Sequence, residues 1–150
     1  MPNLNDQYSI VVSQFNEGIT NKLLQGALTR FQELKIPEEN IHIFRVPGAI
    51  EIPLTTKLLA KTKKYNAIIC LGAVIRGETS HYDYVCQQVS AGCMQVMLEY
   101  KIPVIFGILT TENEKQAEDR AGGKEGHKGI EAVETAISML KVISSIADVR

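Results

Sequence analysis

Two hydrophobic rhythms alternate along this chain, and their alternation restricts the fold more than any other property of the sequence. Apolar runs at residues 8–14 (YSIVVSQ), 41–46 (IHIFRV), 67–75 (AIICLGAVI) and 103–109 (PVIFGIL) have strand-like length and character. Helical spacing fills the gaps. Leu23, Leu24, Ala27, Leu28, Phe31 and Leu34 recur every three to four residues over 20–34, with Ile19 a turn earlier and Pro37 as the stop. A second helix is expected over 51–62, with Pro53 tolerable in its first turn. A third begins at Ser80 or His81 and runs to about Tyr100, with Val85, Val89, Gly92, Cys93, Val96 and Met97 along one face.

After the fourth strand, Thr110-Thr111 precede a short helix holding Gln116, Ala117 and Arg120. A glycine-rich turn at 122–126 follows, then a last helix through Ile130, Val133, Ile137, Leu140 and Val142. Strands alternating with helices over short connections imply parallel strands joined by right-handed crossovers. The expected fold is α/β, a three-layer sandwich with a four-stranded parallel sheet and helices on both faces. At 150 residues the chain reads as a single domain, 1–150, without repeats or linkers. Residues 1–7 are polar and are expected either to be disordered or to dock on a neighbour.

Charge and cysteine usage narrow the function classes. Sixteen basic and seventeen acidic residues give a net charge of −1, which argues against general nucleic-acid binding. No apolar run approaches the roughly 20 residues a membrane helix needs, and the first residues show no signal-peptide core, so a cytoplasmic location is expected. Cys70 reads as a small core residue. Cys86 and Cys93 are seven apart on one helix, roughly 10 Å and too far for a disulfide. No histidine–cysteine spacing fits a metal site.

The carboxyl ends of all four strands carry unusual residues. Phe15-Asn16 follow the first, Pro47-Gly48-Ala49-Ile50-Glu51 the second, Arg76 to His81 the third, and Phe106-Gly107 then Thr110-Thr111 mark the fourth. Parallel strands bring these ends to one sheet edge, where open α/β proteins bind ligands. The block from Gly72 to Val85 (GAVIRGETSHYDYV) passes from strand to helix. Unpaired N–H groups and a positive dipole end there suit a phosphate, while Thr79 adds a hydroxyl and His81 a group that moves protons near neutral pH.

Each residue taken alone has an ordinary reading as well. Phe15 reads equally as a core-rim aromatic or a stacking platform for a flat heterocycle. Glu51 reads as a first-turn acid favoured by the helix dipole, or as an acceptor for substrate hydroxyls. The Arg76-Gly77-Glu78-Thr79 turn reads as a plain cap or an anion cradle. Arg120 and Lys128 bracket the glycine-rich turn, where charges are usually solvated, though an arginine fork suits phosphate. His42 sits mid-strand and reads as pointing outward. His127 lies in the glycine loop and reads as a surface residue. Neither a P-loop nor a dinucleotide-binding glycine pattern is present.

Together these pieces resemble the lumazine synthases of riboflavin biosynthesis. The match runs through Phe15-Asn16, PGAIEIP at 47–53, GAVIRGETSHYDYV at 72–85, FGILTTE at 106–112, Gln116 to Gly122 and KEGHKG at 124–129. The resemblance covers nearly the whole chain in order, and implies a flavodoxin-like sandwich. It implies condensation of 5-amino-6-ribitylamino-2,4-pyrimidinedione with 3,4-dihydroxy-2-butanone 4-phosphate, giving 6,7-dimethyl-8-ribityllumazine, phosphate and water. No metal or organic cofactor is implied.

The resemblance also assigns roles. Phe15, with Asn16 beside it, would stack on the pyrimidine. Ala49, Ile50 and Glu51 would hold the ribityl chain, and Val74 and Ile75 would meet the heterocycle through main-chain groups. Gly77, Glu78 and Thr79 would cradle the phosphate, and His81 would be the general acid/base. Phe106, Arg120 and Lys128 would come from a neighbouring subunit, with Arg120 on the phosphate. Two departures stand out: Ile50 replaces a frequent aromatic, and His127 a frequent asparagine with no clear consequence. The family's unit is a pentamer, and some members pack twelve pentamers into an icosahedral shell. The uninterrupted loop 122–129 follows the shell-forming pattern, whereas the short N-terminus does not. Riboflavin synthase is a candidate partner, and a non-catalytic flavin-binding or shell-forming paralogue is the alternative reading.

Overall fold

Strand β1 (Tyr8–Ser13) occupies an interior position and is buried along its whole length. The structure is a computed structural model that describes residues 2–149, so Met1 of the 1–7 expectation and Arg150 of the 1–150 span lie outside the described residues. The elements are β1, α1 (Glu17–Glu33), β2 (Ile41–Val46), α2 (Ile52–Lys61), β3 (Ala67–Ile75), α3 (His81–Tyr100), β4 (Val104–Thr111), α4 (Glu114–Asp119), β5 (Ala121–Gly123), β6 (Gly126–His127) and α5 (Lys128–Ala147). Strands β2, β1, β3 and β4 form a four-stranded sheet in that order, and all three pairings are parallel. The expected α/β sandwich is therefore borne out.

The period of two in each strand sorts its residues between two cores. Tyr8, Ile10 and Val12 of β1 join Ala67, Ile69, Leu71 and Ala73 of β3 in a cluster with Leu23, Ala27 and Phe31 of α1 and Val133 and Ala136 of α5. Val11, Ile68, Cys70 and Val74 point the other way, against Ile52 and Leu59 of α2 and Val89, Cys93 and Val96 of α3. Helices thus cover both faces, which is why β1 and β3 read as nearly continuous apolar runs. Leu23 is 0% exposed, and truncating a side chain so placed costs about 2–5 kcal/mol. Cys70 is buried as expected, with its Sγ 3.4 Å from Thr56 Oγ1.

Three boundaries differ from expectation, each for a local reason. Helix α1 starts at Glu17, three residues before the expected start, because the turn carrying the buried Ile19 belongs to the helix. Strand β4 runs on through Thr110 and Thr111, which pair with Val74 and Ile75 of the long strand β3. The glycine-rich turn is a small antiparallel hairpin, β5–β6, in which Gly122 and Gly126 take φ of 104° and 98°. Residues 2–7 fold back on their own chain: Asn40 Nδ2 donates to the Leu4 carbonyl (2.8 Å) and the Gln7 N–H to Asn66 Oδ1 (2.7 Å).

Candidate active site

The carboxyl ends of β1, β2 and β3 open into one cleft. Pairing between β1 and β2 continues one step past the strands, with the Gln14 N–H on the Val46 carbonyl (2.8 Å) and the Phe15 N–H on that of Pro47 (3.0 Å). This holds the Phe15 turn against the Pro47-Gly48 turn. Asn16 adopts left-handed backbone angles (φ 62°, ψ 47°) and its Nδ2 donates to the Ala73 carbonyl of β3 (2.9 Å). The chain is thereby pinned as it reverses into α1, and the Phe15 ring is left 71% exposed. An exposed aromatic at a strand end has no packing role to explain it.

The second wall is the turn from β2 to α2. Residues 49–51 form a 3-10 turn, and the Gly48 N–H donates to Glu51 Oε1 at 2.9 Å. Glu51 therefore caps its own turn, as the dipole reading expects. Ala49 is buried, while Ile50 is exposed at the rim.

The third wall is the start of α3. Ser80 is the N-cap but makes no side-chain capping bond, and the Thr79 hydroxyl accepts from the His81 N–H instead (3.2 Å). The Ser80 side chain thus leaves the cap of this 20-residue helix unused, next to Gly77, where an added Cβ would meet nothing within 4 Å among the described residues. Arg76 fixes this turn from behind. Its Nε bonds Glu112 Oε2 (2.7 Å), one terminal nitrogen bonds Asp83 Oδ1 (3.2 Å), and the guanidinium lies 4.3 Å from the Tyr82 ring centre. With its donors on two carboxylates, Arg76 ties β3, α3 and the end of β4 together.

These three walls enclose a cavity of about 490 Å³. It is lined by Phe15, Asn16, Ala49, Ile50, Glu51, Val74, Ile75, Gly77, Thr79 and His81, ten of the residues singled out from the sequence. Glu78 is exposed and does not line it. Gly48, Ala73, Tyr82 and Val85 also line it and were not proposed. The signal for Val85 was present, since it lies one helical turn after His81. Burial pushes the Tyr82 hydroxyl above its ordinary value, so it stays protonated at neutral pH.

Phe106, Arg120 and Lys128 stand apart. They line a second cavity of about 410 Å³ together with Thr110, Thr111, Glu125 and Glu131. The Lys128 N–H donates to the Arg120 carbonyl (2.8 Å), which places the two cations at one end of the β5–β6 hairpin. Arg120 is held further by a bond from its guanidinium to the Gln116 carbonyl (3.0 Å). One protomer thus carries two separate groups of candidate residues.

Among the described residues no cluster of His, Cys, Asp and Glu could hold a metal, and no helix is long and apolar enough to cross a membrane. The fold and first cleft define the class: an open parallel α/β protein with a cleft of small-ligand size at the carboxyl edge of its sheet. Comparison with known proteins makes this particular. The family model for 6,7-dimethyl-8-ribityllumazine synthase matches residues 6–144. Proteins named 6,7-dimethyl-8-ribityllumazine synthase from Coxiella burnetii are similar over 138 residues, 92% of this chain and 91% of theirs: 58% identical in strain Dugway 5J108-111 and 57% in strain CbuG_Q212. The chain belongs to the 6,7-dimethyl-8-ribityllumazine synthase family.

Proposed function

We propose that this protein condenses 5-amino-6-ribitylamino-2,4-pyrimidinedione with 3,4-dihydroxy-2-butanone 4-phosphate to give 6,7-dimethyl-8-ribityllumazine, phosphate and water, as a transferase of riboflavin biosynthesis. The observation that carries this reading is the convergence of three loops on one cleft that offers an exposed ring, a carboxylate and a helix start with its side-chain cap unused. The chemistry is imine formation, phosphate elimination and ring closure with loss of water. Each step is proton transfer and charge handling, which positioning and one imidazole assist.

In this reading the pyrimidine stacks on Phe15, beside Asn16, and meets main-chain groups of Val74 and Ile75. The ribityl chain lies along Ala49 and Ile50, with Glu51 accepting from its hydroxyls. One Glu51 oxygen is held by Gly48, so the carboxylate is oriented before substrate arrives. The phosphate sits over Gly77, Glu78 and Thr79 at the start of α3, where the helix dipole favours it. His81, exposed at the first position of α3, is the general acid/base.

A neighbouring subunit completes the site with Phe106, Arg120 and Lys128, with Arg120 on the phosphate. Supporting this, these three residues line a cavity of their own. The surface beside it is apolar: Leu98, Met139 and Ile143 are each exposed and border a further cavity with Phe106 and Ile102. Exposed apolar residues gathered in this way favour burial between copies. We take the assembly to be a pentamer of the cytoplasm, with association of twelve pentamers into a shell as a further step.

The direct test mixes the purified protein with both substrates and follows lumazine fluorescence against a protein-free control. Formation well above the control is the expected outcome, and formation at the control rate overturns the reading. Sedimentation velocity tests the shared site, which a stable, fully active monomer would refute.

A further inference from the structure

His127 looks dispensable in the sequence, a histidine in a glycine loop. In the structure its ring is half-buried and bonded at the junction of three elements. Nδ1 accepts from the N–H groups of Gly129 (3.1 Å) and Ile130 (3.4 Å), so the imidazole is the N-cap of α5. Histidine is not among the residues that usually cap helices. Here the ring also fills a socket that a smaller cap would leave empty.

Three glycines form that socket. A Cβ on Gly26 of α1 would stand 2.7 Å from Nδ1 and overlap the rest of the ring edge. On Gly129 a Cβ would lie 3.0 Å from Cε1, and on Gly122 it would lie 3.2 Å from Cδ2. The ring therefore packs on α1, on the β5–β6 hairpin and on the first turn of α5 at once. Lys128 is the next residue, and its N–H bonds the Arg120 carbonyl across the base of the hairpin. Whatever holds residue 127 holds the backbone carrying both cations.

We infer that His127 is a positioning residue for the anion-binding pair Arg120 and Lys128, fixing their spacing by capping α5 and keying into the glycine socket on α1. The inference rests on the proposed reading that Arg120 takes the substrate phosphate, and extends it to Lys128 beside it. Nδ1 must offer its lone pair to two N–H groups, so the working ring carries its proton on Nε2. Loss of the ring frees the first turn of α5 and lets the two cations drift apart. Phosphate binding suffers, while the Phe15 cleft is untouched.

The experiment uses the full chain as wild type, His127→Ala, His127→Asn, Gly26→Ala and the double variant Gly26→Ala/His127→Asn, with Arg120→Ala as the control. The readouts are kcat, the KM for each substrate, and amide hydrogen exchange at Gly129 and Ile130. In His127→Ala the KM for the butanone phosphate rises about threefold to tenfold, the scale of a lost cap. The KM for the pyrimidine and kcat hold, and both amides exchange faster. His127→Asn, which caps without a ring, recovers amide protection and most of the KM. Gly26→Ala, which evicts the ring, behaves like His127→Ala, and the double variant is relieved of that clash and behaves like His127→Asn.

An unchanged phosphate KM in His127→Ala, or an equal rise for both substrates, overturns the inference, as does failure of asparagine to rescue. If His127→Ala does not fold, the comparison of Gly26→Ala with the double variant decides the same question. Arg120→Ala separates the two layers. If it leaves the phosphate KM unchanged, the phosphate reading itself falls. If it raises that KM and His127→Ala does not, only the role of His127 falls.

Discussion

Replacing Asn16 separates two contributions that the structure superimposes at one residue. Asn16 holds left-handed backbone angles, and its side chain donates to the Ala73 carbonyl at 2.9 Å. Its own carbonyl accepts from the N–H groups of Ile19 and Thr20, so the residue must reverse the chain and start α1 together. Asn16→Ala forfeits the hydrogen bond, worth about 0.5–1.5 kcal/mol. Its Cβ stays in the left-handed region without the local polar side chain that lets asparagine adopt it, at about 1–2 kcal/mol. Asn16→Gly forfeits the bond alone, but gains about 0.4–1 kcal/mol of unfolded-chain freedom that opposes folding. The alanine variant is therefore the less stable by a net amount of about 1 kcal/mol. At a slope of about 2 kcal/mol/M that gap is roughly 0.5 M in urea midpoint. The assay is equilibrium urea unfolding at fixed protomer concentration, since subunit association contributes to apparent stability. The KM for the pyrimidine is measured alongside, and should rise in the same order, alanine above glycine, because Phe15 precedes this turn. Equal midpoints for the two variants would refute the backbone argument. Wild-type midpoints in both would refute the hydrogen bond as a stabilising contact.

Three further outcomes follow from other parts of the molecule. His81→Ala lowers turnover by up to about 10²–10⁴-fold, with no change in sedimentation, since the residue is exposed; unaltered turnover removes it from the mechanism. Burial and the Asp6 carboxylate push the Tyr8 hydroxyl from its ordinary 10.0 to about 12 in the folded protein. Its stabilising contribution is complete below pH 10 and is lost as pH rises from 10 to about 12, a change of about 2–3 kcal/mol. Tyr8→Phe abolishes that alkaline decline in thermal unfolding and loses no hydrogen bond, because the buried hydroxyl has no partner among the described residues. Gly107→Ala puts a Cβ 2.7 Å from Leu71 Cδ2 and 2.8 Å from the Cys70 carbonyl, and lowers the unfolding midpoint by the equivalent of about 1–3 kcal/mol; a neutral substitution would show that β3 and β4 separate easily.

Much of the first cleft was legible in the sequence because its residues follow strand ends directly. Phe15, Glu51, Gly77 and His81 each lie within a few residues of an apolar run that periodicity identifies, and parallel strands send those ends to one edge. Strands β2 and β3 and helix α3 have the bounds that hydrophobic spacing and the Pro47-Gly48 stop imply. Family membership was legible for a related reason: motifs spread along the whole chain match in order, and the comparisons bear this out.

The tertiary structure decided matters that have no local signal. Strand order β2-β1-β3-β4 depends on which crossovers bury most surface, and adjacent residues do not encode it. Tyr82 lines the cleft while Tyr84, two residues on, is 63% exposed, a choice made by the rotation of α3 on the sheet. Phe106, Arg120 and Lys128 gather at a second cavity because Lys128 pairs with Arg120 through the hairpin. His127 is the sharpest case. Its neighbours in sequence are glycine and lysine, and they read as a solvated loop. Its cap on α5 is a local bond, but its seat against Gly26, about a hundred residues away in sequence, exists only once α1 and α5 pack. Local periodicity determined which segments become strands and helices, because it reports the face each element must bury. The partners of those faces, and the polar residues caught between them, came from long-range packing.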